Sequence, residues 1–382
     1  NNCATSGSGT YTVNSAGILG LIAWGAGVTL NNNVTVQNGG TIFSDNNTGG
    51  NSSIAGNVSI SGTITISNSV TFSIAGVISG TGGITKIAAG NLTLSAANTY
   101  TGETVVIEGI LRIGSNGTTG SVVSNITNNA TLQFRRTNTI TYAGVISGTG
   151  TIEIGGGGTT TGTVIFTGNN TCTGQTTIST GMTLQLGTNS AAGALGGAVV
   201  NNGTLIFNRN NVYTFSFVIS GTGNVVKNGD GELTLTEANS YTGTTTVSSQ
   251  RLNYTITANG GSNSGIGASS NSASNLIIDG GHLRYIGTGG STDRLFTITP
   301  NGGRVYASGS GGQTWTNTGA IVMSGTGNRT LEIGGGTATT NYFAPILSNP
   351  SSGTLSVTKT GNDNVWVLTA NHTYTGTTTI TG

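Results

Sequence analysis

Apolar and polar residues alternate with a period of two in short bursts along the whole chain, and Gly, Asn and Ser separate the bursts. In the stretch NLTLSAANTYTGETVVIEGILRIG, beginning at Asn91, alternation puts Leu92, Leu94, Val106, Leu111 and Ile113 on one face. A later stretch offers the matching set Leu233, Leu235, Val247 and Leu252, and one between them offers Ile178, Leu184 and Leu186. A period of two belongs to half-buried β-strands, and no run carries the 3.6-residue period of a long amphipathic helix. The prediction is an all-β fold.

Three phrases recur. NTYTG at residues 98–102 returns as NTCTG at 170–174, NSYTG at 239–243 and HTYTG at 372–376. This aligns Tyr100, Cys172, Tyr241 and Tyr374, and likewise Gly102, Gly174, Gly243 and Gly376. VISGTG begins at Val77, Val145 and Val218, and VMSGTG at Val322. NNATLQF at Asn128 and NNGTLIF at Asn201 form a third set, with GGHLRY at Gly280 a looser member. The step from Tyr241 to Tyr374 is close to twice the two before it, so a degenerate copy is expected between Tyr254 and Ala320. A unit of about 70 residues holding three or four coils of roughly 20 describes a solenoid, whose coils bury their apolar faces by stacking. The expectation is a single rod of about 17 to 20 coils spanning residues 31–382. Residues 1–30 form an N-terminal strand, arm or first coil with a possible subunit contact, and residues 258–275, rich in Gly, Ser and Asn, form a bulging loop.

The stretches at 83–114, 224–247 and 355–382 combine a Lys-containing strand, a Gly turn, an LTL-type strand and the YTG turn. Together they resemble the autotransporter-associated β-strand repeat. With one imperfect copy added to these three, the resemblance covers roughly 120 residues directly. It implies a right-handed parallel β-helix, exported and displayed outside a bacterial cell, in passenger regions that serve as stalks, adhesins or structural surface proteins. The sequence holds no amphipathic strands of an outer-membrane barrel, and it stops at Gly382 where the family phrase continues. The expectation is that the polypeptide continues or that another molecule completes the open coil.

Composition narrows the function. Charged residues make up 6% of the chain, against about 25% in ordinary globular proteins, and 67 of 382 residues are Gly. A net charge of +1 with no block of like charge argues against nucleic-acid or anionic-membrane partners. Before Lys86 the chain carries one acid, Asp45, and no Lys or Arg, which removes a common defence against association. No stretch reaches the roughly 18 apolar residues of a membrane span, residues 16–30 coming nearest. No basic n-region opens the chain, and removal of a secretion signal is expected.

Between Cys3 and Cys172 lie about eight coils, or roughly 40 Å of axis. A simple bridge inside stacked coils is therefore not expected, and an extended arm can carry Cys3 to another coil or to a neighbouring subunit, the second of which makes the pair a candidate intersubunit disulfide.

Candidate chemistry is sparse. The acids are spread along the chain, and Glu103 and Glu108, close in sequence, flank the outward side of a strand. Lys86, Lys227 and Lys359 hold one position in three repeats, which marks them as architectural. His282 and His372 read as exposed turn residues without metal-ligand spacing. NGDGE at 228–232 reads as a tight turn rather than a calcium loop, and the Thr-x-Thr runs as solvent faces of strands rather than ice-binding arrays. Trp24, Trp315 and Trp366 are expected half-buried at coil corners rather than on a glycan-stacking surface. No catalytic residue, metal site or cofactor is expected. The function expected is a non-enzymatic extracellular structural or adhesive β-helix that self-associates head to tail and contacts a cell surface or glycan. A carbohydrate-binding or carbohydrate-active β-helix is the alternative.

Overall fold

The alternating stretches become short strands because each buries its apolar face only against the equivalent strand one coil away. The computed structural model describes residues 8–23, 27–46, 50–156 and 161–381, and its strands pair in parallel to form a β-helix. Two compact units divide the chain: Asn1–Leu184 with Ala192–Ala198, and Gln185–Ala191 with Val199–Gly382.

In the first unit the first four described coils each contribute one strand to each of three sheets. One runs through Phe72–Ile74, Asn91–Leu94, Ile110–Gly117, Thr131–Arg136 and Thr151–Ile154. Its inward ladder is Phe72, Leu92, Leu111, Leu132 and Ile152, and the near-constant step between members sets the coil. A second ladder stacks Ile64, Ile84, Thr104 and Ile126. The strands Tyr11–Val13, Ile18–Ala23 and Thr29–Leu30 each pair with the following coil, so together they build the first described coil. The side chains of both ladders are buried. Each buried Leu, Ile or Phe is worth about 1.5–3 kcal/mol of transfer free energy, an upper figure because unfolded chains already hide some surface.

The second unit stacks Leu233–Leu235, Arg251–Tyr254, His282–Tyr285, Gly303–Ala307 and Arg329–Gly334 in one sheet. Its inward ladder is Leu233, Leu252, Leu283, Val305 and Ile333. Here the steps are unequal. Those from Leu252 to Leu283 and from Val305 to Ile333 take up much more chain than the step from Leu233 to Leu252. The long step after Leu252 accommodates the expected loop. Between Arg251–Tyr254 and Leu276–Ile278 the chain forms no strand, only the 3-10 turn Ala273–Asn275. The loop is fastened to the core: Arg294, 2% exposed, donates to Gly267 O and Ser269 Oγ at 2.9 Å each, and Asp293 accepts from Gly260 N at 2.7 Å.

Trp315 departs from its expected corner position. It is 1% exposed and packs edge-on against Phe296 at 5.4 Å, with Phe343 at 6.1 Å, because the longer coils of this unit have interior volume for large rings. Trp366 is half-buried, donating Nε1–H to Gly334 O at 3.2 Å, and Trp24 lies outside the described residues. Among the described residues no helix is long and apolar enough to cross a membrane, a statement about helices alone.

Candidate functional site

The recurring phrases dock onto each other. In the copy at 98–102, Asn98 Oδ1 accepts the backbone N–H of Ile78, one coil earlier, at 2.9 Å. Asn170 does the same for Ile146 and Asn239 for Ile219, both at 2.8 Å. Those isoleucines are the second residues of the three VISGTG phrases. At the fourth copy His372 Nδ1 accepts from Leu347 N at 3.1 Å, so the imidazole stands in for the amide oxygen; burial lowers its pKa, which keeps the ring in the neutral form this bond requires. His372 is therefore a structural acceptor and not a free turn residue, a role the alignment with Asn already signalled.

The Tyr of the turn points inward. Tyr100 and Tyr241 are fully buried and bond Thr104 and Thr245 through their hydroxyls at 2.7 and 2.8 Å; Tyr374 reaches Thr378 at 2.7 Å. Burial pushes the Tyr100 hydroxyl up to about 12. Cys172, in the same position, is 2% exposed and its thiol donates to Gly150 O at 3.0 Å. The other cysteine of the candidate pair, Cys3, lies outside the described residues.

The turn glycine is fixed by the coil beneath it. A Cβ on Gly243 would lie 2.2 Å from Gly223 O, and one on Gly174 2.0 Å from Gly150 O. The neighbours struck are the final glycines of the VISGTG phrases, and Gly102 over Gly82 repeats the arrangement at 2.4 Å, so the two phrases meet as halves of one contact.

Lys86 and Lys227 are 0% and 2% exposed, inside the coil, and their ammonium groups close its corner. Lys227 Nζ donates to the carbonyls of Asn228, Gly229 and Ser249 at 3.0, 2.9 and 3.1 Å; Lys86 Nζ donates to Ile87 O and Ala88 O at 3.2 and 2.5 Å. Burial pulls both ammonium groups down to about 8, against smaller opposing fields from Glu108 at Lys86 and from Asp230 and Glu232 at Lys227. Lys359 repeats the gesture toward Gly361 O. These are corner braces, as their recurrence implied.

Of the acids singled out, Glu103 and Glu108 are exposed, and Glu103 accepts from Thr127 Oγ1 at 2.5 Å. Asp230 in the NGDGE turn is engaged by Asn189 Nδ2 at 2.8 Å. The densest charge lies elsewhere, on the outer face of the second unit. Glu232, Arg251, His282, Arg304 and Glu332 follow one another on successive coils, with Asn253, Arg284 and Tyr306 in the row beside them. Arg251 pairs with Glu232 at 2.5 Å and Arg304 with Glu332 at 2.8 Å. His282 corrects the sequence reading: it lies within the strand His282–Tyr285, 8% exposed, against Arg304. Burial, with Arg304 beside it, pulls its pKa down to about 4. Sequence reasoning missed this row because its members are scattered along the chain at unequal intervals, and only coil length brings them abreast.

Residues 84–113, 159–186, 225–249 and 357–382 match the passenger-associated-transport-repeat. The chain carries this repeat four times. Three of these stretches hold Lys86, Lys227 and Lys359 with a YTG turn each, and the one at 159–186 has no lysine and carries the CTG variant. The adhesin BmaC autotransporter of Brucella suis biovar 1 (strain 1330) is 32% identical over 289 residues, which is 75% of this chain and 7% of that protein. The chain thus spans about 7% of the length of the curated relative it matches. No solved structure matches it. Between the third and fourth passenger-associated-transport-repeats the coils continue without a match, and the charged row reaches from the third repeat into that interval.

Proposed function

We propose that this chain is a non-enzymatic segment of an extracellular, cell-surface β-helix that serves as an adhesive stalk. The observation that carries the reading is that the buried lysines, tyrosines and asparagines of the recurring phrases are engaged in bonding within a coil or from coil to coil, the same structural task at each recurrence. Lysines brace corners, tyrosines and asparagines lock turns, and each role returns from repeat to repeat. The likeness to an adhesin autotransporter agrees with this reading. Particles coated with the 382-residue chain are expected to attach to cells or to immobilised glycans, and oligosaccharides incubated with the chain should remain uncleaved. Failure of the particles to attach to any surface, or turnover of a glycan, overturns the reading.

A finer proposal is that copies associate head to tail into a fibre. Parallel coils support it, since a coil edge offers a row of backbone N–H and C=O groups that another strand can extend, and a heterologous contact of that kind does not close into a ring. Electron microscopy of the concentrated chain tests it. Fibres lost on deletion of residues 1–30 support the polymer, and a monomer at high concentration refutes it. Non-reducing electrophoresis then asks whether Cys3 and Cys172 link copies covalently.

A further inference from the structure

We propose that the outer face of the strands Arg251–Tyr254, His282–Tyr285 and Gly303–Ala307 binds an acidic glycan, a carbohydrate bearing carboxylate or sulfate groups, with Arg284 as its anchor; this rests on the adhesive reading above.

The first observation is an imbalance of charge. Arg251, Arg284 and Arg304 stand on three successive strands of one sheet, in a chain where only 6% of residues are charged. Two of the three have a carboxylate: Glu232 for Arg251 and Glu332 for Arg304. Arg284 has none within hydrogen-bonding distance, and its buried Nε–H has no partner. The paired arginines remain open to solvent at side-chain exposures of 35% and 43%. With neighbouring strands about 4.8 Å apart, Arg251 and Arg304 are separated by about 10 Å, and Arg284 lies on the strand between them, in the adjacent outward row. A guanidinium in this position presents the planar fork that matches carboxylate and sulfate oxygens.

The second observation is that the groups around Arg284 are left incomplete. The Nε2 of His282 faces the guanidinium of Arg304, which can only donate, so Nε2 accepts and the proton of the neutral ring sits on Nδ1. That Nδ1 is buried and without an acceptor, and the Oδ1 of Asn253, 5% exposed, is buried without a donor. Four of the unpartnered buried atoms of the described residues thus belong to Arg251, Asn253, His282 and Arg284, neighbours on two paired strands.

The third is shape. Tyr306 lies directly across from Arg284 in the strand register, half-buried, with its ring 5.5 Å from that of His282, and an aromatic ring of this kind can pack on the C–H side of a pyranose. Beside Arg304 and Glu332 opens a groove of about 350 Å³, lined also by Pro300, Asn301, Asn328 and Thr330, at the low end of the range of ligand clefts. Amides, hydroxyls and a ring next to a localised positive charge suit a hydroxyl-rich anion. A duplex with a charge every ~1.7 Å would need a longer basic track than three arginines.

The test measures binding of the full chain to immobilised heparin, polygalacturonate, polyglutamate and dextran. Expected is binding to the sulfated or the carboxylated glycan that weakens with salt, with little retention on polyglutamate or dextran. Arg284→Gln should weaken it roughly tenfold or more, the loss of a charge-assisted hydrogen bond. Arg284→Lys should fall between, and Arg135→Gln, in the first unit, should stay within about twofold. Thermal unfolding of each variant shows whether the fold is intact, and Arg284→Lys decides if Arg284→Gln does not fold. No binding to either acidic glycan, equal binding to polyglutamate, or equal loss in Arg135→Gln overturns the proposal. Coated particles separate it from the adhesive reading. Attachment to cells that survives Arg284→Gln keeps the adhesive reading and removes the site; glycan binding in solution without attachment of any particle keeps the site and removes the adhesive reading.

Discussion

The coils around the passenger-associated-transport-repeat at 84–113 and the coils between positions 250 and 340 use the same parallel stacking to different ends. In the first region the inward ladder advances by nearly the same length of chain at every step, the turn phrases lock into the coil below, and Lys86 closes the corner. In the second the steps lengthen, most of all from Leu252 to Leu283, a loop is anchored by the buried Arg294, and arginines crowd the outer face. The difference teaches where a solenoid can vary. Side chains that bridge one coil to the next are constrained by the coil repeat of backbone carbonyls, whereas extra length between strands is accommodated outside the ladder.

This comparison can be broken by substitution. The largest effect is expected at the inward turn residue. Tyr241→Ala removes a fully buried ring and leaves Thr245 without its hydroxyl partner, at a cost of about 3–5 kcal/mol, while Tyr374→Ala, at a half-buried site, should cost clearly less. Chemical denaturation of the two variants reads the difference directly. Next is the turn glycine. Gly243→Ala drives a methyl group to within 2.2 Å of a backbone carbonyl and should cost roughly 1–3 kcal/mol or more, against less than about 0.5 kcal/mol for Gly336→Ala, where nothing lies within 4 Å. Equal melting temperatures for those two proteins would contradict the docking of the repeat phrases.

Asn239→Ala leaves the buried N–H of Ile219 without an acceptor, for about 1–3 kcal/mol, and amide exchange at Ile219 should accelerate; His372→Asn should be nearly silent, because either residue supplies the same lone pair. The smallest effect is one of pH. Lys86 and Lys227 lose their protons near pH 8 in the fold, whereas free lysine holds its proton to about 10.4. Between those values the unfolded chain binds more protons, so stability rises with pH across that window. Above about 10 the buried tyrosines oppose the rise, since Tyr100 keeps its proton to about 12 in the fold while an unfolded tyrosine ionises. Lys227→Met should flatten the rise between about pH 8 and 10, and an unchanged stability profile would show that its ammonium is freely solvated.

Much of the architecture was legible in one dimension. Alternation named Leu92, Leu94, Val106, Leu111 and Ile113 as interior, and all are buried; recurrence marked Lys86 and Lys227 as architectural before their carbonyl partners were visible. Alignment with Asn also held the clue to His372. The reading of His282 as a turn residue failed because HLRY belongs to a strand, and the corner position expected for Trp315 failed because the volume of a coil interior is not written in a local pattern.

The sequence by itself determined the parallel coil, its interior residues and the recurrence of its braces, since each follows from a period that local alternation and repetition carry. Only the tertiary structure decided which distant residues stand side by side. The register between Arg251, His282 and Arg304 depends on how much chain each coil spends between strands, and the step from Arg251 to His282 spends more than the step from His282 to Arg304. Outward side chains make no core contact that would constrain their type. The core therefore leaves its mark on the pattern of residues, and the outer face acquires its chemistry only when the coils are stacked.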